Sequence, residues 1–258
     1  MGTLGTIGLN GAFVEAAMLA AVRITAFLVL APPFNFSAIP LRIKAMLAVA
    51  LSILVAPHAA EGMRAQLETG AFVLALISQL VTGALLGFLV LVTFSAIQSA
   101  GSLIDLFAGF QLSQAFDPMM NVNGAQMTRL MQMVALGLLF VSGGAELVLS
   151  GLFRTFDALP VTGLFDRDIG RLLLPGIGQL FLSAVQIAGP IVVVLFLADV
   201  GLGLLTRVAP ALNAFAMGFP LKILLTLVFG SLAFLALPTV MEALTGRSVE
   251  QMLGVVVP

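Results

Sequence analysis

From Gly70 to Ile104 the chain carries no charged side chain. As a helix rising about 1.5 Å per residue, such a run outreaches the roughly 30 Å hydrocarbon core of a bilayer. It must tilt steeply, project beyond the bilayer or fold back on itself. The remainder of the chain agrees with a membrane setting: of 258 residues, 60% are hydrophobic and only 9% charged, with a mean hydropathy of +1.18. Soluble domains carry far more charge than this. The reading is an all-α polytopic membrane protein. Within the run, Gly83 and Gly87 form a GxxxG pair, a spacing that lets a second helix approach closely.

The same composition excludes several kinds of chemistry. Cysteine is absent, which removes disulfides, thiolate metal sites and cysteine nucleophiles. His58 is the only histidine, so a histidine metal cluster is impossible. The acidic residues are scattered over separate segments, and no phosphate-binding loop or nucleophile elbow occurs. Neither an enzyme nor a cofactor or metal site is expected. The net charge of −1 argues against nucleic acid, which calls for a clustered basic face. Tryptophan and tyrosine are missing while phenylalanine numbers 20, so the usual interfacial aromatic belt is not available. The opening residues MGTLGTIGLNG lack the basic stretch of a cleavable signal, and residue 1 onward is read as mature chain.

Taken in order, Leu9 to Ala31 reads as a first helix ended by Pro32 and Pro33. Glu15 and Arg23 lie about 80° apart around it, close enough to share a buried face, unless Glu15 snorkels outward. LRIKAMLAVALSILVAP predicts a short second helix closed by Pro57. After the uncharged run comes GSLIDLFAGFQLSQAFDPMMNVNGAQMTRLMQM, with a turn at Asp117-Pro118. Phe107, Phe110, Phe116, Met119 and Met120 suit a solvated loop poorly, and a loop of this length is usually functional. They fit either packing of the loop onto its neighbours or an adaptable contact surface. Leu130 to Ser150 predicts a helix with Glu146 late in it, and FRTFDALPVTGLFDRDIGR predicts an aqueous or interfacial loop. Leu172 to Thr206 carries two apolar blocks kinked at Pro190, Ile223 to Met241 forms the last helix, and a short tail follows. With these spans alternating, lysine and arginine divide evenly between the two sides, and the orientation rule returns a tie.

The segment from Gly189 to Lys222 adds ionisable residues to an apolar run. Asp199 and Arg207 sit in its body, with Pro190, Pro210 and Pro220 around them. Charges at membrane depth mark functional or buried positions, and backbone broken by proline must face protein or a cavity. Asp199 and Arg207 fit either a proton relay or a buried structural ion pair. Two functions remain: a stand-alone secondary transporter using these residues at a broken helix, or a subunit of a larger membrane machine. Matched broken helices in both halves, common in transporters, are not evident here.

Three blocks carry a resemblance. RITAFLVLAPPFNFSAIPLRIKAMLA, GSLIDLFAGFQLSQAFDPMMN and LADVGLGLLTRVAPALNAFAMGFPLK, in that order, resemble the FliR family of type III export-gate subunits, shared by flagella and virulence injectisomes. Arg23, Ile39, Pro40, Arg42, Lys44, Asp117 and Pro118 match its motifs, as do Asp199, Arg207, Pro210, Asn213 and Lys222. The resemblance covers nearly the whole chain and implies a single export-gate membrane domain over residues 1–258, built of helical hairpins with broken helices. It implies assembly with FliP-like and FliQ-like membrane subunits and an FlhB-like export protein in the bacterial inner membrane. The complex would lie at the flagellar basal body, raised toward the periplasmic side. It further implies a channel for unfolded polypeptides, plugged by roughly Leu106 to Asn123 with Phe107, Phe110, Phe116, Met119 and Met120. Arg23, Asp199, Arg207, Asn213 and Lys222 become structural or subunit contacts.

Overall fold

The computed structural model describes residues 11–36, 39–61, 67–110, 126–163, 169–209 and 214–256. Among them are seven helices: α1 (Gly11–Leu30), α2 (Leu41–Glu61), α3 (Thr69–Ala108), α4 (Gln126–Val141), α5 (Gly144–Ala158), α6 (Ile169–Val208) and α7 (Ala214–Val256). The all-α class expected from the sequence is what is observed. Five helices, α1, α2, α3, α6 and α7, have the length and apolarity to cross a bilayer; the bent pair α4 and α5 makes a sixth if it counts as one span.

The uncharged run does not fold back. It forms one continuous helix of 40 residues. Elsewhere the boundaries depart from the sequence reading, each for a local reason. Pro57 does not close α2, which runs on to Glu61; near a helix end, the missing amide costs one hydrogen bond rather than a whole turn. Leu130 to Ser150 is two helices that meet at 69°. The break falls at Gly143, whose φ of +71° ends a right-handed helix at little cost only for glycine. Glu146 therefore lies in the first turn of α5, where a carboxylate favours the helix dipole. The stretch expected to be a polar loop begins as helix, since Phe153 to Ala158 complete α5. Similarly, α6 continues through Pro175 and Pro190, and α7 through Pro220 and Pro238, taking in most of the presumed tail.

The chain divides into two compact units. The first comprises residues 1–92, 145–174 and 245–258. Its core is made by Leu19, Ile24 and Phe27 of α1, Leu86 and Leu89 of α3, Val148 and Leu152 of α5 and Met252 of α7, all buried. The GxxxG pair does here what its spacing suggests: a Cβ on Gly83 would overlap the carbonyl oxygen of Arg23, and one on Gly87 would lie 2.9 Å from that of Phe27. Thus α1 lies backbone to backbone on α3. The second unit comprises residues 93–144 and 175–244. There Ile97 and Ile104 of α3, Met131 and Leu139 of α4, Leu195 of α6 and Met241 of α7 close a second core.

Candidate functional site

Three polar arrangements fasten helices within these units. The first centres on Arg23, fully buried on α1. Its Nε donates to Gln79 Oε1 at 2.5 Å, Nη1 to the carbonyl of Thr155 at 3.1 Å and more weakly to its hydroxyl at 3.5 Å, and Nη2 to the carbonyl of Leu159 at 2.8 Å. The guanidinium also lies 4.2 Å from the ring centre of Phe156. All these acceptors are uncharged. The carbonyls at the end of α5 carry the negative end of its dipole, and although that of Thr155 also accepts from Leu159 N at 2.9 Å, a cation there opposes the dipole and adds a donor; the aromatic face adds a cation–π contact. Gln79 is oriented in turn by donating to the carbonyl of Val161 at 2.9 Å. Glu15 does not join Arg23: its carboxylate accepts from the amide of Leu67 at 3.1 Å.

The second arrangement lies in the other unit, at the junction of α3 and α4. Asp105 is fully buried near the end of α3. Its Oδ1 accepts from Met127 N at 2.9 Å, and its Oδ2 accepts from Thr128 N at 2.7 Å and from Thr128 Oγ1 at 2.6 Å. Those amides open α4, where the free donors and the positive end of the dipole favour a carboxylate. The same residue's carbonyl accepts from Phe110 N at 3.1 Å, while Gly109 N donates to Leu106 O at 3.3 Å. With Gly109 at φ +80°, this pair of bonds is a Schellman cap on α3.

The third is an ion pair between Asp199 on α6 and Lys222 on α7, Oδ1 to Nζ 2.7 Å. One of the two readings of the sequence, a buried ion pair, joins Asp199 to Arg207. Eight residues along one helix separate those two by about 12 Å, whereas α7 brings Lys222 alongside. Arg207 stands exposed in the last turn of α6.

Of the residues singled out from sequence, Arg23 is thus enclosed by its own chain, and Asp199 and Lys222 are brought together. Phe107 and Phe110 are half-buried and pack against the core of the second unit. Phe116, Met119, Met120 and Asn213 lie outside the described residues. Asp105, Gln79 and Thr155 were not singled out. Gln79 was detectable as a polar side chain deep in an apolar run, and Asp105 as the carboxylate that ends it.

A polytopic all-α membrane protein whose buried polar side chains fasten helix ends is the class that this fold and these sites define. The chain belongs to the bacterial export proteins, family 1, whose pattern it matches over residues 14–248. It is 32% identical to the flagellar biosynthetic protein FliR of Escherichia coli K12 over 203 residues, 78% of this chain and 77% of that protein. To the FliR of Bacillus subtilis 168 it is 28% identical over 83% of each chain. Similarity extends to the Yop proteins translocation protein T of Yersinia pestis, 32% identical over 60% of this chain and 62% of that protein. With its membrane-length helices, it is a membrane-embedded export component.

Proposed function

We propose that the chain is a core subunit of a flagellar type III export gate in the bacterial inner membrane. It assembles there with FliP-like and FliQ-like subunits, and with an FlhB-like export protein, into a channel for unfolded flagellar subunits. The complex sits at the basal body, raised toward the periplasmic side. The chain conducts and gates, and performs no chemistry of its own. The flagellar assignment is favoured over a virulence system by coverage, since the FliR relatives match over 77–83% of their length and the Yersinia protein over 62%.

In this reading the segment from Leu106 to Asn123 plugs the channel. The observation that supports it is that Asp105, just ahead of that segment, bonds Phe110 N through its carbonyl and, through its carboxylate, Met127 N and Thr128 N a few residues beyond the segment's end. Soft apolar side chains suit such a gate: they exclude hydrated ions from a dewetted constriction, yet yield around a polypeptide of any sequence. Phe107 and Phe110 anchor the start of the plug on the core; Phe116, Met119 and Met120 supply its apolar surface. Arg207 and Asn213 serve as subunit contacts.

Bilayer recordings of the assembled complex test this. Deleting Phe110 to Met120 is expected to raise ion leak, and an unchanged conductance overturns the plug assignment. Native mass spectrometry of the tagged chain in mild detergent tests the assembly itself. One copy with several copies of two other small membrane proteins is the expected composition; a stable monomer or homodimer returns the question to a stand-alone transporter.

A further inference from the structure

The start of α2 lacks what a helix start ordinarily has. The carbonyl of Pro40 accepts from Ile43 N at 3.0 Å and Lys44 N at 3.3 Å, but the amides of Leu41 and Arg42 donate to nothing among the described residues. Pro40, just ahead of the helix, has no side-chain acceptor with which to cap them. The first turn holds no acidic residue; it holds Arg42 and Lys44 instead. Cations there oppose the positive end of the helix dipole, and among the described residues neither pairs with a carboxylate. Such an end calls for an anion.

Lys44 points the same way. It is only 9% exposed, a depth at which lysine is seldom found without a partner. Among the described residues no buried side-chain nitrogen lacks a hydrogen bond, so the unpartnered ammonium comes out at the surface while its stem stays covered. Helical side chains lean toward the N-terminus, which carries that ammonium back to the free amides. Arg42 stands on the opposite side of the helix, at the head of an exposed apolar line. Met46, Val49 and Ile53 follow it on one face and are 73%, 51% and 54% exposed. Free amides and two cations, continued by an apolar track along a membrane-length helix, trace the outline of a phospholipid.

We propose that the N-terminus of α2 binds an anionic phospholipid. Its phosphate is held by Arg42, Lys44 and the amides of Leu41 and Arg42, and an acyl chain lies along Met46, Val49 and Ile53. A phosphate has enough acceptor oxygens for donors that arrive from both sides of the helix. A headgroup of net negative charge brings no ammonium of its own to compete with the two cations.

The full-length chain, purified in mild detergent with the subunits that accompany it, is titrated with phosphatidylglycerol, phosphatidylcholine or inorganic phosphate. Native mass spectrometry counts bound lipids and retained subunits together. Wild type is expected to take phosphatidylglycerol at a concentration about tenfold lower than phosphatidylcholine. Arg42→Gln and Lys44→Gln should each weaken it about fivefold, and Lys44→Arg should not. Pro40→Asp supplies the missing cap, so it favours the helix while setting a carboxylate in the place of the phosphate; it should lose the lipid too. If the Gln variants fail to fold, Pro40→Asp decides alone. Equal affinity for the two lipids overturns the proposal, as does wild-type binding of phosphatidylglycerol by Pro40→Asp. Displacement of the lipid by an equal concentration of inorganic phosphate also overturns it, because the site would then serve a free ion. Loss of subunits from the Gln variants with lipid binding unchanged overturns it in favour of a carboxylate on a partner protein.

Discussion

The guanidinium of Arg23 donates to the carbonyl of Leu159, 136 residues further along the chain, at 2.8 Å. A cation near the middle of a membrane-length helix is costly in lipid, by about 2.5–3.5 kcal/mol on insertion scales. Here it is removed from lipid altogether and serves as the cap of α5. Removing it takes a donor from the buried Gln79 Oε1 and from the part-buried Leu159 carbonyl, at about 1–3 kcal/mol for each group left unpaired. Arg23→Ala should therefore destabilise the chain by about 3 kcal/mol or more. Arg23→Lys should recover little of this, because an ammonium cannot span Gln79, Thr155 and Leu159 as a planar fork does. Unfolding in detergent by denaturant titration reads both; a wild-type midpoint for Arg23→Ala would show that α5 is capped some other way.

The contact between α1 and α3 makes a sharper steric forecast. Gly83→Ala puts a methyl group into the carbonyl of Arg23, and backbone cannot yield as a flexible side chain would. Gly137→Ala, with open space around it, should instead stabilise α4 by up to about 1 kcal/mol through helix propensity. Comparing the thermal midpoints of the two variants separates close packing from propensity. Equal midpoints would count against the backbone contact.

Gly143 presents a different demand. Nothing lies within 4 Å of where its Cβ would be, so substitution there meets no clash, yet its φ of +71° remains. Gly143→Ala should cost about 1–2 kcal/mol from conformation alone. Gly143→Asn, which tolerates this region better, should cost less. The order of stability Gly, Asn, Ala is the signature to look for by calorimetry.

For the ion pair of Asp199 and Lys222, exposure decides the magnitude. The Asp199 side chain is 46% exposed, so a double-mutant cycle to alanine should give a coupling of about 0.2–1 kcal/mol, weakened by salt. Arg207→Ala, on an exposed turn, should alter the stability of the isolated chain by no more than about 0.5 kcal/mol. A larger fall in the yield of the assembled complex would then report a subunit contact.

The sequence was most informative where a single physical constraint dominates. An uncharged run too long for one simple span could only be a helix, and the Gly83–Gly87 spacing announced the approach of another. Helix ends were less legible. Proline is a strong breaker in isolation, but Pro57, Pro175, Pro190, Pro220 and Pro238 all lie within helices: Pro57 close to an end, where little helix is at stake, and Pro190 and Pro238 deep in long apolar helices whose remaining bonds outweigh the one lost. The turn at Gly143 was hidden for the opposite reason, since an apolar run through it looks continuous. Partnerships between distant residues were least legible of all. Asp199 has cations on both sides in sequence, and only the placement of α7 selects Lys222. Arg23 has no acidic partner to search for, because its acceptors are two backbone carbonyls, which every residue possesses, and the uncharged side chains of Gln79 and Thr155.

The first unit draws on three widely separated parts of the chain, with Gly151 packed against Val249 and Met252. A ribosome adding about 5–20 residues per second needs roughly 8–30 s to pass from Val92 to Val249. Throughout that interval α1 and the part of α3 that belongs to the unit are made, but the stretch of the last helix that packs on α5 is not. The unit is in this sense a lock whose final pin arrives last, and its completion waits for the residues around Val249 rather than for the emergence of its first helices.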